Sequence, residues 1–244
     1  MNNYKLTIQY EGTNYCGWQS QINAKSIQSE ITEAIKTVLR TEINLIGSGR
    51  TDTGVHALGQ VANFKVDQKL DQEKFRYSLN CILPGAISVV NVEEVDEDFH
   101  SRFDAKERKY LYIISKFKSP FYKNYSYYYP FHKKLSIREL NKLSQELIGE
   151  KDFSSFSRKN PDLNNFNCTI KKAYWKENKE FIYFVISANR FLHGMVRAIT
   201  GTLLEINKTG GDSCQLVGII SQKDRAKAGE SIPAKGLFLY KVEY

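Results

Sequence analysis

The chain has 244 residues, of which 41% are hydrophobic and 13% aromatic, and its 35 basic and 27 acidic side chains give a formal charge of +8. This much apolar material excludes a disordered basic tail, and the length fits one large domain or two small ones. No apolar run approaches the roughly 18 residues of a membrane-spanning helix, and the first residues show no secretory signal.

Strands and helices alternate through the first hundred residues. Alternating apolar positions predict a strand from Tyr4 to Tyr10, and Ser26 is placed to cap a helix whose apolar positions share one face. The other elements predicted here are strands at 43–46, 60–66 and 87–92, a helix from Asp71 to about Asn80, a polar loop at 47–54 and a solvated acidic connection at 93–98.

The second half repeats this rhythm without repeating the sequence. A strand is predicted at 108–115, and a capping box at Ser136 and Glu139 opens a helix that Gly149 closes. The longest helical pattern starts at Phe191, although Gly201 interrupts it. The remaining predictions are strands at 170–176, 181–188 and 236–242 and a helix near 214–222. The order of elements therefore predicts an α+β or α/β chain with two structurally similar halves.

The positive charge is confined to the second half of the chain. Residues 1–122 hold 15 basic and 15 acidic side chains, whereas residues 123–244 hold 20 and 12. A polyanion partner such as a nucleic acid would suit this distribution. An alternative is that the 25 lysines, with abundant Asn and Ile, reflect an A/T-biased genome without selection for binding.

The four cysteines do not form a recognisable framework. They are separated by 65, 87 and 46 residues, which matches neither a close-pair zinc pattern nor a dense disulfide scaffold. The simplest interpretation is reduced thiols in a cytoplasmic protein, most of them filling the core.

The most unusual stretch is GSGRTDTGVHA at 47–57. It lacks the lysine of a P-loop and the third glycine of a dinucleotide fingerprint. In an extended backbone Arg50 and Asp52 point to the same side, so the guanidinium could hold the carboxylate ionised or swing out to a substrate. The alternative for an isolated aspartate is a tight turn in which Asp52 caps its own backbone.

This loop resembles the signature G-R-T-D-x-G-V-H-A of the TruA family of tRNA pseudouridine synthases, residue for residue. Similar blocks follow in the family's order from residue 4 to about residue 242. They are YEG at 10–12, GWQ at 17–19, NCILP at 80–84, FHSRF at 99–103, RKYLY at 108–112, DFSSF at 152–156, FLHGMVR at 191–197 and KGLFL at 235–239.

The resemblance implies a set of site residues. Asp52 would be the catalytic aspartate, paired with Arg197, and would either trap the detached sugar or remove a ribose proton. Arg50 would hold the place of the extruded nucleotide in the RNA stem. Tyr110 would stack on the uracil and is the candidate base for the C5 proton, and Leu237 would pack on the other side of the base.

The resemblance also implies the architecture. We expect the α+β pseudouridine synthase fold, with two similar lobes that share a mixed, mainly antiparallel sheet with a central cleft. Residues 1–104 would form the catalytic lobe, and residues 105–244 a basic lobe that completes the active site and the RNA surface. The charge distribution, and not the resemblance, predicts that phosphates face the second lobe, at residues that include Lys171, Lys172, Arg190 and Lys235.

The implied enzyme is a homodimer of the bacterial form, without cofactor or metal. It would modify uridines at positions 38, 39 and 40 in the anticodon arm of tRNA after flipping them out of the stem. The alternative function is a non-catalytic RNA-binding or RNA-folding protein on the same fold, which should bind RNA better after Asp52→Asn.

Four further positions are noted. His56 and His193 are interpreted as hydrogen-bonding residues, since no pair has the spacing of metal ligands. Gly194 stands where the family has a second histidine, and Ala86 stands where an acidic residue often follows the Leu-Pro-Gly turn. Neither departure touches the implied chemistry, although Gly194 could alter local RNA contacts.

Overall fold

A computed structural model describes residues 1–158 and 164–244. It divides the chain into two compact units, one formed by 1–106 with 238–244 and the other by 107–237. The first boundary lies two residues beyond the predicted one at 104. The second lobe was predicted to run from 105 to 244, whereas residues 238–244 belong to the first unit. They do so because they pair with a strand of that unit.

Ten strands and five helices are observed in the described residues. In chain order they are β1 (Asn2–Tyr10), α1 (Ile27–Leu39), β2 (Ile46–Gly47), β3 (His56–Val66), α2 (Gln72–Ile82), β4 (Ile87–Val95), β5 (Glu107–Ser115), β6 (Tyr127–Tyr128), α3 (Ile137–Gln145), β7 (Gly149–Asp152), β8 (Asn167–Glu177), β9 (Phe181–Ala188), α4 (Met195–Thr209), α5 (Ser213–Gln222) and β10 (Leu237–Glu243).

The sheet of the first unit has the order β4-β1-β3-β10, and β2 also pairs with β3. β1 lies antiparallel to both of its neighbours. Tyr4 and Leu6, which share one face of this strand, are fully buried, as the alternation predicted. β10 runs parallel to β3, with Phe238 opposite His56. The predicted caps are confirmed, because Ser26 begins α1 and Asp71 begins α2.

The sheet of the second unit has the order β5-β9-β8-β7, all antiparallel, and the short β6 lies parallel to β5. Helix α4 has most of its residues buried on every side, which is the pattern of a helix inside a domain. Mainly antiparallel strand pairing together with helices confirms the predicted α+β class. No helix of the described chain is long and apolar enough to cross a membrane.

Several predicted boundaries differ from the observed ones. The acidic run begins inside β4, because Glu93 pairs across the sheet with Lys5, whose Nζ lies 3.1 Å from Glu93 Oε1. The helix capped by Ser136 ends at Gln145, before Gly149, whose φ of +96° starts β7. The other shifts are β2 at 46–47 instead of 43–46, β3 from 56 instead of 60, and α4 from Met195 instead of Phe191.

Candidate active site

Glycines bring the loop 47–54 close to an earlier loop of the first unit. A side chain at Gly17, whose φ is +87°, would collide with the carbonyl oxygen of Thr51, and one at Gly12 with that of Val55. Because neither glycine has a Cβ, the two loops can approach closely. The Trp18 N–H then donates to the carbonyl of Thr51 at 3.3 Å. The backbone of the two loops is therefore fixed together.

Asp52 stands in a short turn of this loop. The N–H of Val55 donates to the main-chain carbonyl of Asp52 at 3.1 Å, and Gly54 has a φ of +77°. This bond uses the main chain of Asp52, and the role of its carboxylate stays a prediction. The half-buried carboxylate thus projects from a fixed backbone.

The residue before Asp52 is held by a buried hydroxyl pair. Thr51 Oγ1 lies 2.8 Å from the hydroxyl of Tyr10, and both residues are buried. Burial raises the pKa of Tyr10 well above its usual value, because the phenolate would lose its hydration. Tyr10 therefore stays protonated at neutral pH and serves as a fixed hydrogen-bonding partner of the loop.

A buried amide, Gln60 on β3, holds the other end of the loop, and sequence reasoning missed it. Its Nε2 donates to the carbonyl of Gly49 at 3.0 Å, and its Oε1 accepts from Ser48 Oγ at 2.7 Å. A single Gln inside a strand gives no signal in the sequence, since only the folded register brings it beside the loop.

Arg50 is exposed, and its Nε donates to Oε1 of Gln19 at 3.0 Å. Gln19 thus holds the Arg50 side chain at the surface, and both alternatives for its guanidinium stay predictions.

His56 is buried and linked to two other elements of the first unit. Its Nδ1 accepts the N–H of Gly12 at 3.0 Å, and its ring stacks on Phe238 with centroids 4.7 Å apart. Glu11 Oε1 lies 3.9 Å from Nδ1, beyond hydrogen-bond distance. His56 therefore joins the loop that contains Gly12 to β3 and β10.

Tyr110 lies on β5 of the second unit, opposite Ile186 of β9. Its half-buried ring meets Phe191 edge-on, with centroids 5.2 Å apart and planes at 90°. Tyr110 thus has an aromatic neighbour on its strand, and its stacking on a base stays a prediction.

The segment before Leu237 packs on the same strand. Tyr112 shares a sheet face with Tyr110, because the two are two residues apart. Its hydroxyl donates to the carbonyl of Pro233 at 2.7 Å, and Gly236 lies so close to its ring that a Cβ would be 2.8 Å from Cζ. The second unit therefore brings buried Leu237 to the strand that carries Tyr110.

Arg197 stands in the first turn of α4, where a cation opposes the helix dipole. Its Nε donates to the carbonyl of Ile232 at 2.7 Å. The residue before the helix, Gly194, has a φ of +73°, a conformation that glycine adopts without strain. Glycine suits this backbone, and nothing in the structure explains the difference from the expected histidine.

A cavity of about 540 Å³ in the second unit is lined by three arginines and His193. The arginines are Arg158, Arg197 and Arg225, and the cavity also contains Glu230. Arg225 is held by the carbonyls of Ala228 and Gly229 at 3.2 and 3.1 Å and by Ser231 Oγ at 3.1 Å. The excess of guanidinium groups suits an anion.

The cavity wall depends on Gly201 of α4. A Cβ there would collide with the carbonyl oxygen of Glu230, so the glycine lets the wall segment lie directly on the helix. Gly229 on that segment donates its N–H to Thr202 Oγ1 at 2.9 Å. The sequence pattern treated Gly201 as a weakness of the helix, whereas the structure gives it a packing role.

Sequence reasoning missed Arg158 and Arg225. The sequence feature that could have pointed to them is the scarcity of arginine, since the chain has 10 arginines and 25 lysines. Among the basic residues expected to face phosphates, Lys171 is paired with Glu107 at 3.2 Å, Arg190 donates to the Asn165 carbonyl at 3.4 Å, and Lys172 is exposed. Lys235 lines a second cavity of the same unit.

The predicted site residues are thus divided between the units. Asp52 and Arg50 stand in the first, and Tyr110, Arg197 and Leu237 in the second. The pairing of Asp52 with Arg197 stays a prediction.

Comparison with known proteins agrees with the resemblance in the loop. A family described as tRNA pseudouridine synthase matches residues 6–104 and 143–244. Proteins named tRNA pseudouridine synthase A from Thermoanaerobacter sp. (strain X514) and Caldicellulosiruptor saccharolyticus are each 43% identical and align over 100% of both chains. The Bacteroides fragilis protein of that name is 43% identical over 99% of this chain and 96% of its own. The chain therefore belongs to the tRNA pseudouridine synthase family.

Proposed function

We propose that this chain isomerises uridine to pseudouridine in the anticodon stem-loop of tRNA, at positions 38, 39 and 40, with Asp52 as the catalytic carboxylate. Membership of the family supports isomerisation of tRNA uridine. The observation that carries the assignment of Asp52 is its place in a glycine-tight turn whose backbone is hydrogen-bonded before and after it. Such preorganisation is what a reacting carboxylate requires.

The reaction moves the ribose from N1 to C5 of the same base. The N1–C1′ bond breaks, the uracil turns, a C5–C1′ bond forms, and the C5 proton is lost while N1 gains one. Asp52 either bonds to C1′ of the detached sugar or removes a ribose proton; both roles need an ionised carboxylate. In this proposal Arg197 pairs with Asp52 and keeps it charged.

The phenol of Tyr110 serves two purposes in the proposal. Its ring stacks on the uracil, and its oxygen takes the C5 proton. Leu237 packs on the other face of the base. Arg50, whose side chain Gln19 holds at the surface, occupies the space that the flipped nucleotide leaves in the stem.

The charge of the second unit supports RNA as the substrate. Residues 107–237 hold 23 basic and 12 acidic side chains, a formal charge of +11. The arginine-lined cavity offers planar guanidinium groups to phosphate oxygens. We also propose that the enzyme acts as a homodimer, which sedimentation of the full chain would test.

The deciding experiment is tritium release from tRNA transcripts that carry C5-labelled uridine. The wild type should release tritium, and Asp52→Ala should not. The matched control is Asp67→Asn, which changes an exposed carboxylate of the same unit. No release from any tRNA by the wild type would overturn the proposed reaction, and turnover by Asp52→Ala would overturn the role of Asp52.

The alternative, an RNA-binding protein without activity, gives a different result. In that case the wild type would bind tRNA without releasing tritium, and Asp52→Asn would bind more tightly because a charge facing phosphates is removed.

A further inference from the structure

The segment that joins β5 to α3 has an unusual composition. Residues 116–134 contain eight aromatic residues and five lysines, and no aspartate or glutamate. The site proposed above uses none of these residues. Basic and aromatic residues interleaved in this way are typical of surfaces that bind single-stranded nucleic acids.

Several of these rings are exposed. Phe121 is 83% exposed, and Tyr122, Tyr125, Tyr128 and Phe131 are each between 40% and 44% exposed. Single exposed rings are ordinary on a protein surface, but five exposed rings within one short segment favour a binding partner.

Part of this segment is held in a fixed shape. Tyr122 and Phe117 meet edge-on with centroids 6.2 Å apart, and both contact Phe181 of β9. The Ser126 N–H and Oγ both donate to the carbonyl of Tyr122 at 3.0 Å, and Tyr127 pairs with Ile114 of β5. The rings of Phe117 and Tyr122 are therefore held in place, and they give the segment a fixed base against β9.

Lysines surround the rings. Lys118, Lys123 and Lys235 line a cavity of about 560 Å³ together with Tyr122 and Tyr127. Lys118 and Lys123 are exposed, and neither forms an ion pair with any residue among 1–158 and 164–244. Their charge is available for an anionic partner.

We propose that residues 116–134, the aromatic–lysine segment, bind unpaired nucleotides of the RNA substrate, with bases stacked on the exposed rings and phosphates beside Lys118 and Lys123. The inference rests on the proposed function, because it takes RNA as the substrate. A second copy of the chain fits this surface less well, since a two-fold contact would bring the same lysines together with no acidic residue of the segment to compensate them.

The first test measures binding of an unmodified tRNA transcript by fluorescence anisotropy. The double variant Phe121→Ala/Tyr125→Ala should raise Kd about tenfold or more, because each lost stacking contact weakens binding several-fold. Phe121→Trp/Tyr125→Trp should restore binding, since tryptophan keeps a stacking face. The control Tyr77→Ala, at a ring that is 70% exposed on α2, should leave Kd unchanged.

The second test follows the salt dependence of the same binding. Lys118→Gln/Lys123→Gln should reduce the slope of log Kd against log salt by about 1.5, since each phosphate contact contributes about 0.7–0.9. Lys65→Gln/Lys69→Gln, two exposed lysines of the first unit, should leave the slope as it is.

Tritium release and sedimentation separate the possible failures. If the wild type modifies tRNA but the ring and lysine variants bind as tightly as it does, the inference is wrong and the proposed function stands. If the wild type binds tRNA through the segment without releasing tritium, the proposed function fails instead. Dissociation of an oligomer by the ring variants, with RNA affinity per oligomer unchanged, would assign the segment to contact between copies and overturn the inference.

Discussion

The two compact units have similar kinds of elements and opposite charge. The first, 1–106 with 238–244, holds 12 basic and 15 acidic side chains, a formal charge of −3, whereas the second carries +11. The proposed reacting carboxylate lies in the negative unit and the arginine-lined cavity in the positive one. In the proposed function, net charge thus marks where the RNA is attracted and not where it reacts.

The units also differ in how they hold functional side chains. In the first, Asp52 stands on an irregular loop whose backbone is bonded to a neighbouring loop through glycine-permitted contacts. In the second, Tyr110 and Arg197 project from a strand and a helix. We expect substitutions in the first unit to affect chemistry and most of those in the second to affect RNA binding.

The largest effect should come from Asp52→Asn. The amide can neither attack C1′ nor accept a proton, so kcat should fall by at least about a thousandfold while Kd for tRNA stays the same or decreases. Single-turnover tritium release with saturating enzyme measures the first quantity, and filter binding the second. If Asp52→Asn also weakened tRNA binding, the first unit would contribute to RNA binding as well. The division of chemistry and binding between the two units would then be wrong.

Tyr110 is the exception to this expectation, because it lies in the second unit but has a proposed role in the chemistry. The variant Tyr110→Phe tests that role. The ring is kept and the hydroxyl lost, so kcat should fall about a hundredfold with little change in KM. Tyr174→Phe, at a half-buried tyrosine of β8, is the matched control. An unchanged kcat in Tyr110→Phe would leave that residue with stacking alone.

Arg158→Gln/Arg225→Gln should weaken binding of the tRNA transcript about tenfold at moderate salt and flatten its salt dependence. The single-turnover rate at saturating tRNA should change much less. Arg138→Gln, on the exposed side of α3, supplies the control for a lost positive charge. Equal losses in the control and the cavity variant would mean that the cavity is not a specific phosphate site.

The smallest expected effect is a decrease in the free energy of unfolding at alkaline pH. Burial raises the pKa of Cys168 on β8 to about 11, from 9.0 for an exposed thiol. Both states are protonated below pH 9, so the full stability is present there. Between pH 9 and 11 only the unfolded thiol ionises, and the free energy of unfolding should fall by on the order of 2 kcal/mol.

Cys168→Ala should remove that part of the pH dependence, whereas Cys16→Ser, at an exposed thiol of the first unit, should not. Urea unfolding at pH 8 and pH 11 measures the difference. Identical pH profiles for Cys168→Ala and the wild type would contradict the assignment.

Local signals in the sequence predicted most elements correctly. The alternation from Tyr4 to Tyr10 and the caps at Ser26 and Asp71 depend on neighbours within a few residues, so they can be interpreted without the fold. The loop around Asp52 was noticed from its unusual residues, but its catalytic role was predicted through family resemblance, since a lone aspartate between threonines has no distinctive spacing.

Features that depend on distant contacts could not be predicted in this way. Gln60 holds the loop only because of the register of β3, and Arg225 joins Arg158 only after the segment before β10 folds onto α4. The packing role of Gly201 could not be predicted either, because it depends on Glu230, which is 29 residues away in the chain.

The parallel pairing of β10 with β3 has a consequence for synthesis on the ribosome. Residues 1–106 emerge first, but part of one edge of β3 has no strand beside it until residues 238–244 are made. The second unit is synthesised in between and is continuous, so it can fold before the first is complete. An open strand edge can pair with other chains. The nascent protein must therefore protect β3 while more than a hundred residues are added.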